Sequence, residues 1–440
     1  MKSHLIQHIL TCIRKTPLAV FALVAYVSIP SSLIYPEDYF VITRTIPWFV
    51  SYFNTLDVVL FVSLLLTSAL LRLSPTRQGT GFLLLGFASI MTSLFFSPNL
   101  QSGAVFDALI HFCRFAFVFS FASGLTRSLG PRQSESFYLM IYAILCASAV
   151  VVYHLTFETM MGRIYASGMG VGSFAQVSVV ACIIAIVRRQ YVVLAVSSVF
   201  LVLTFSVTST VMFILVVSCI PLIASRDGVS SDSAQQSLRH LRQVFVVGAL
   251  VAGIAVGASS MLGDVGYNLK FEDAAEGHGR KVIWMFALQL LRSGHVGVCG
   301  LGFFRTTGCF QDNQLLGQYA DHSVDNQHFH SIIFEGALGL GVLCLPLFWM
   351  LFRRIWVTYW TKQYLPCAIF LFFLLTQSVD FTIYRPKELI VWAFILGIAD
   401  GQFIEAAKKV SERRKVGSTM NMNSQRRFAM PVLNGAGRNG

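Results

Sequence analysis

Charge is what this sequence has least of. Only 12% of its 440 residues are Asp, Glu, Lys or Arg, about half the share an ordinary soluble domain uses to coat its surface. With 55% hydrophobic residues and a mean hydropathy of +0.66, water is excluded as the main solvent of this surface. No C-x-x-C pair occurs, which removes the common zinc and dithiol motifs. Most of the nine cysteines, Cys113, Cys146, Cys182, Cys219, Cys344 and Cys367 among them, lie inside apolar runs as small hydrophobes. No internal repeat is visible, whereas transporters built from two similar halves show one. Nothing at the start reads as a cleaved signal before a soluble body: Met1–Pro17 is short and basic, and Leu18–Tyr35 reads as a retained anchor.

What the chain has in plenty is apolar runs long enough, at ~1.5 Å per residue, to cross a ~30 Å hydrocarbon layer. In lipid such runs must be helices, because every backbone amide has to find its partner within the segment. The expected spans are 18–35, 56–71, 80–97, 103–125, 136–157, 170–187, 191–207, 209–224, 243–262, 331–352, 365–383 and 388–404. The pair 191–207 and 209–224 shares a polar hinge, Ser206–Thr210, and Val41–Phe53, broken by Arg44 and Pro47, reads as interfacial. The fold class is thus an all-α integral membrane protein of about 12 transmembrane helices. Residues 1–262 hold helices 1–9, 263–330 one long loop, 331–404 helices 10–12, and 405–440 a basic tail expected to be disordered.

The formal net charge of +12 could suggest a nucleic-acid partner, but its distribution points elsewhere. Alternate loops divide Lys and Arg 23 against 9, with Arg114 inside a span. The positive-inside rule then puts the richer set, and both termini, on the cytoplasmic side. The 263–330 loop falls on the opposite, external side.

That loop has room for a site. It begins acidic, with Glu272, Asp273 and Glu276, and passes through Arg280, Lys281 and Trp284. Val282–Leu291 is apolar but too short to span, and reads as a helix lying in the interface. A run of Gly294, Gly297, Gly300 and Gly302 follows, suited either to close backbone approach and positive φ or to a flexible connector. Cys299 and Cys309 fall here and could form a disulfide in an oxidising compartment. The loop ends in Asp321-His322-Ser323-Val324-Asp325-Asn326-Gln327-His328-Phe329-His330, and Glu335 lies one turn into the next span. A charge there is costly without a partner. Polar residues at a membrane boundary with a structural Glu335 are the plainer reading; the density of titratable groups favours a site.

Gly279-Arg280-x-x-x-Trp284, then Gly-x-x-Gly-x-Gly-Phe over Gly297–Phe303, then Asp325-Asn326-x9-Gly336-x2-Gly339 resembles the O-antigen ligase and Wzy-type polysaccharide polymerase superfamily. Gly162-Arg163-x-x-x-Ser167-Gly168 is similar to that family's first essential arginine region. The resemblance implies a periplasmic loop and a multi-pass bacterial inner-membrane glycosyltransferase, without metal or cofactor. Such an enzyme moves a glycan from undecaprenyl diphosphate to an acceptor hydroxyl. It also implies partners: the lipid-linked oligosaccharide, membrane lipid, a chain-length regulator and flippase or export proteins. The ligases carry His-Asn or His-Ser where this chain has Asp325-Asn326, which is more like the polymerases.

That chemistry needs fixed positive charge at the leaving diphosphate, which guanidinium groups supply through bidentate pairs. Arg163 and Arg280 are the candidates, with Arg305 beside them; an ordinary interfacial arginine is the plainer reading of each. The attacking hydroxyl needs a base. Asp325 is first by position, and His328 and His322 are the alternatives. Asn326 would orient the sugar or the base, and Glu335 would hold Arg280 or a histidine. Asp380, Tyr384, Arg385 and Lys387 add a further external cluster for phosphate or acidic sugar. Asp107, His111 and Arg114 share one helix face within a span. They suit pocket support, a structural ion pair or a proton relay, the last of which would fit a transporter.

Overall fold

In a computed structural model, the described residues are 2–28, 55–74, 76–96, 102–156, 164, 166, 169–204, 206–225, 280–292, 296–302, 331–379 and 387–404. Among them every regular element is helical. In chain order these are α1 (Lys2–Lys15), α2 (Pro17–Ser28), α3 (Thr55–Leu70), α4 (Arg77–Phe96), α5 (Ser102–Leu129), α6 (Pro131–Thr156) and α7 (Val171–Arg188). Then follow α8 (Tyr191–Leu203), α9 (Val207–Ser225), α10 (Arg280–Arg292), α11 (Ile332–Leu340), a 3-10 turn (Gly341–Leu343), α12 (Cys344–Trp360) and α13 (Tyr364–Val379). A last helix, α14, covers 387–404.

Span 243–262 lies outside the described residues; the described parts of the other expected spans are largely helical, although 191–207 and 331–352 are each divided between two helices. Among the described residues, five helical stretches are each long and apolar enough to cross a membrane, or six if α1 and α2, bent by 103° at Thr16–Pro17, are taken as one broken span. The chain is therefore a multi-pass α-helical membrane protein. The bend follows from Pro17, which has no amide to continue α1 and whose ring would clash with the preceding turn.

Three spans depart from expectation. The hinge expected at Ser206–Thr210 lies a few residues earlier, between Leu203 and Val207. There Thr204 Oγ1 donates to the Leu201 carbonyl at 2.6 Å and Ser206 Oγ meets Ser209 Oγ at 3.0 Å, offering the backbone side-chain partners in place of the next turn. The span expected at 331–352 is broken at Gly341 and continues to Trp360. Arg354, read as a loop residue, sits within α12 and is 6% exposed. It stays there because Asp400 on α14 neutralises it, Arg354 Nε donating to Asp400 Oδ1 at 3.0 Å while the guanidinium lies 4.9 Å over the Phe82 ring.

One core runs through the bundle, joining α2, α3, α5–α9, α13 and α14. α14 lies against α5 through Gly397 and Gly401: a Cβ on either would stand 2.5 Å from the Phe119 carbonyl oxygen or 2.7 Å from that of Ser123. Small residues four apart let helix backbones approach this closely in a membrane protein. At the basic end, Arg188 makes a bidentate pair with Glu135 at 2.6 Å, and Gln402 donates to the same carboxylate at 2.7 Å.

Candidate functional site

The glycine-rich segment of the long loop is held in place by the break in the following span. α11 ends at Leu340, so its last carbonyls have no donor of their own within the helix. The loop supplies them: Leu301 N–H donates to the Leu338 carbonyl at 2.7 Å and Gly302 N–H to that of Gly339 at 3.0 Å. In return Val342 N–H donates to the Val298 carbonyl at 3.0 Å, and Ser93 Oγ on α4 adds a 2.6 Å bond to the Gly339 oxygen. Backbones this close exclude side chains. A Cβ on Gly300 would lie 2.5 Å from the Gly339 carbonyl, and one on Gly341 would lie 2.1 Å from the Val298 oxygen. Gly300, Gly302 and Gly341 also have φ of +80°, +108° and +58°, which side-chain-bearing residues rarely adopt. Of the two expectations for these glycines, close approach is the one realised.

α10 is packed by the same arrangement. Phe286, Ala287 and Leu290 bury against Leu338 of α11, with Trp284, Val296, Leu301 and Phe334 around them. Met285, Leu288 and Leu291 stay exposed on the other face, as suits a short amphipathic helix at an interface. Arg280 is the first residue of α10. Glu335 is on α11, 7% exposed. Arg163, Arg305, His322, Asp325, Asn326 and His328 lie outside the described residues. Cys299 is a free thiol in the structure; Cys309, its expected disulfide partner, lies outside the described residues.

Of the residues just after Arg163, Ile164, Ala166, Met169 and Gly170 are described. Ile164, Ala166 and Met169 are buried in the main core, which Ile332 at the start of α11 also joins. Ile164 N–H donates to the Leu203 carbonyl at 3.0 Å, and the Gly170 amide donates to Glu388 Oε1 at 3.2 Å. One turn deeper Gln377 donates to Gln176 Oε1 at 2.9 Å, and Trp392 Nε1 donates to the same oxygen at 3.2 Å. α7, α13 and α14 are thereby joined at the end opposite the basic one. Lys387, expected as a surface cation for phosphate, is instead 1% exposed and donates to the Val27 carbonyl at 3.3 Å. Asp380, Tyr384 and Arg385 lie outside the described residues.

Of the expected grouping of Asp107, His111 and Arg114, the side chain of Asp107 lies outside what the structure describes. Arg114 forms a bidentate pair with Asp57 of α3, both bonds 2.7 Å, and neither side chain is exposed. Tyr26 of α2 donates to the same carboxylate at 3.0 Å. Of the three roles open for Arg114, a structural ion pair is the one its geometry matches. Asp57 was missing from the sequence reading, although a carboxylate within an apolar run always calls for a partner. The buried amides Gln176 and Gln377 gave the same signal more faintly. Among the described residues no group of three His, Cys, Asp or Glu side chains is placed to hold a metal ion. No family model matches the sequence, and no curated protein matches it either.

Proposed function

We propose that the chain is a metal-independent membrane glycosyltransferase of the polysaccharide-polymerase type. It joins undecaprenyl diphosphate-linked oligosaccharide repeat units into exopolysaccharide or O-antigen on the periplasmic face of a bacterial inner membrane, with about twelve spans and both termini cytoplasmic. The observation that carries this reading is the docking of Gly297–Gly302 onto the Leu338–Val342 break. Two separated pieces of the motif on which the resemblance rests are thereby one structural unit. It fixes α10, and with it the backbone of Arg280, against the span that follows Asp325 and His328.

In this scheme Arg280 and Arg163, with Arg305, hold the diphosphate as it leaves, and preorganised cations of this kind supply much of such a rate enhancement. Asp325 takes the proton of the attacking sugar hydroxyl, with His328 or His322 as the alternative base. Asn326 orients the sugar, and Glu335 steadies the arginine or histidine. A chain-length regulator and flippase or export proteins are the partners this activity calls for.

Broken helices in transporters usually leave backbone groups at the break for cargo or coupling ions. Here the Leu338 and Gly339 carbonyls at the break are already engaged by Leu301, Gly302 and Ser93, which favours the enzyme over a transporter or exporter. An O-antigen ligase differs in its acceptor, lipid A core. Substituting Asp325→Asn should abolish long polymer and accumulate a single lipid-linked repeat, read on gels of surface polysaccharide. Wild-type chain lengths in that variant would end the assignment, and full-length polymer left uncapped would favour the ligase.

A further inference from the structure

We propose that the adjacent residues Lys387 and Glu388 act as a positioning clasp, fixing the segment that follows Arg163 against the ends of α2, α7 and α14. Both side chains are 1% exposed although they open α14. Lys387 Nζ donates to the carbonyl of Val27 at 3.3 Å. Val27 is the last residue but one of α2, where carbonyls lack internal donors and the helix carries partial negative charge. Glu388 Oε1 accepts the amide of Gly170 at 3.2 Å. Gly170 is the N-cap of α7 and has no side chain to cap with, and the partial charge there is positive. Two neighbouring side chains of opposite sign thus each meet a helix pole of the opposite sign.

This arrangement reaches the site through what it holds. The segment ending at Gly170 begins one residue after Arg163. Its other described fastenings are two backbone bonds, Ile164 to Leu203 and Met169 to Ala166, and the burial of Ile164, Ala166 and Met169 in the core. The 380–386 connection, with Arg385, ends at Lys387. One dipeptide therefore ties the described residues that follow Arg163 and those that follow Arg385 in sequence. Its base does not yield, because α14 is locked to α5 at Gly397 and Gly401.

The clasp's purpose rests on reading Arg163 as a diphosphate-binding residue, so the experiment separates the two. Hydrogen exchange of the peptide 157–170 is followed in the full chain in lipid nanodiscs, and binding of undecaprenyl diphosphate is measured on the same samples. Glu388→Ala should speed exchange of 157–170 about tenfold, the worth of one charge-assisted hydrogen bond. Glu388→Gln, which keeps a carbonyl acceptor at the same reach, should restore most of the protection. Glu388→Asp, one methylene short, should behave like Ala and serves if the alanine variant does not fold. Lys387→Met should speed exchange at the end of α2 and spare 157–170. Diphosphate affinity should fall about tenfold in Glu388→Ala, with no further loss when that change is added to Arg163→Ala. Unchanged exchange in both Glu388→Ala and Glu388→Asp overturns the clasp, and so do additive losses in the double variant. If exchange responds as expected but Arg163→Ala alone binds diphosphate normally, the clasp stands and the reading of Arg163 falls.

Discussion

Two of the helix breaks among the described residues are satisfied in different ways. Between α8 and α9 the freed backbone groups are met mostly by hydroxyls of the same few residues, Thr204, Ser206 and Thr210, with one distant donor, Ile164 N–H, on the Leu203 carbonyl. Between α11 and α12 the partners come from elsewhere: the loop amides of Leu301 and Gly302 and the hydroxyl of Ser93. The first break is mainly a local property, its one described distant tie being Ile164 to Leu203. The second is a joint, and it persists only while the long loop stays docked. A site assembled from that loop inherits its geometry from the joint.

Breaking the joint should therefore have the largest effect. Gly300→Ala places a Cβ 2.5 Å from the Gly339 carbonyl, at a φ of +80°. Overpacking together with the left-handed penalty costs about 2–5 kcal/mol. Gly341→Ala meets the Val298 oxygen at 2.1 Å and should be as severe. Both variants should lose long polymer, and thermal unfolding in detergent should shift down by many degrees. Gly297 belongs to the same sequence motif, yet a Cβ there would approach nothing nearer than the Gly300 oxygen at 3.9 Å. Gly297→Ala should stay close to wild type in both measurements. Equal sensitivity at Gly297 and Gly300 would mean that the motif matters for some reason other than the joint.

That contrast also marks how far the sequence could be read. Apolar length located the helices well, because the requirement for internal backbone pairing in lipid acts on each segment alone. The hinge near Ser206 was visible for the same reason: all its described partners but Ile164 are sequence neighbours. Non-local pairing was not legible. Arg354 looked like a loop residue because Asp400, its partner, is far along the chain, and Arg114 was grouped with its helical neighbours because Asp57 lies on another helix. Lys387 looked like a surface cation because nothing nearby in sequence announces the end of α2. For the site, the density of glycine was legible but not which glycines bear the contact, since that depends on a carbonyl about forty residues away.

A gentler change tests the joint without a clash. Ser93 Oγ donates a buried 2.6 Å bond to the Gly339 carbonyl, which also accepts from Gly302 N–H at 3.0 Å. In Ser93→Ala the carbonyl keeps one donor, so the loss should be about 0.5–1.5 kcal/mol. Thermal unfolding should move down by a few degrees, and exchange at 296–302 should rise with polymer still made. Polymer abolished at unchanged stability would make Ser93 part of the chemistry and not of the joint.

The local break should yield the least. Ser206 stands at the N-cap position of α9, and its Oγ accepts Ser209 N–H at 3.4 Å, a long bond. In Ser206→Ala that acceptor is lost, together with the contact to Ser209 Oγ. The Ser206 carbonyl still receives Thr210 N–H at 3.1 Å and Thr210 Oγ1 at 2.9 Å. A cap this weak should contribute at the low end of its range, about 0.5 kcal/mol. Unfolding temperature should fall by a degree or two, and chain length should not change. Because neither loop nor distant helix depends on this hydroxyl, nothing amplifies its removal. A loss as large as that of Ser93→Ala would show that the α8–α9 break is also a joint, held by contacts that its own hydroxyls do not make.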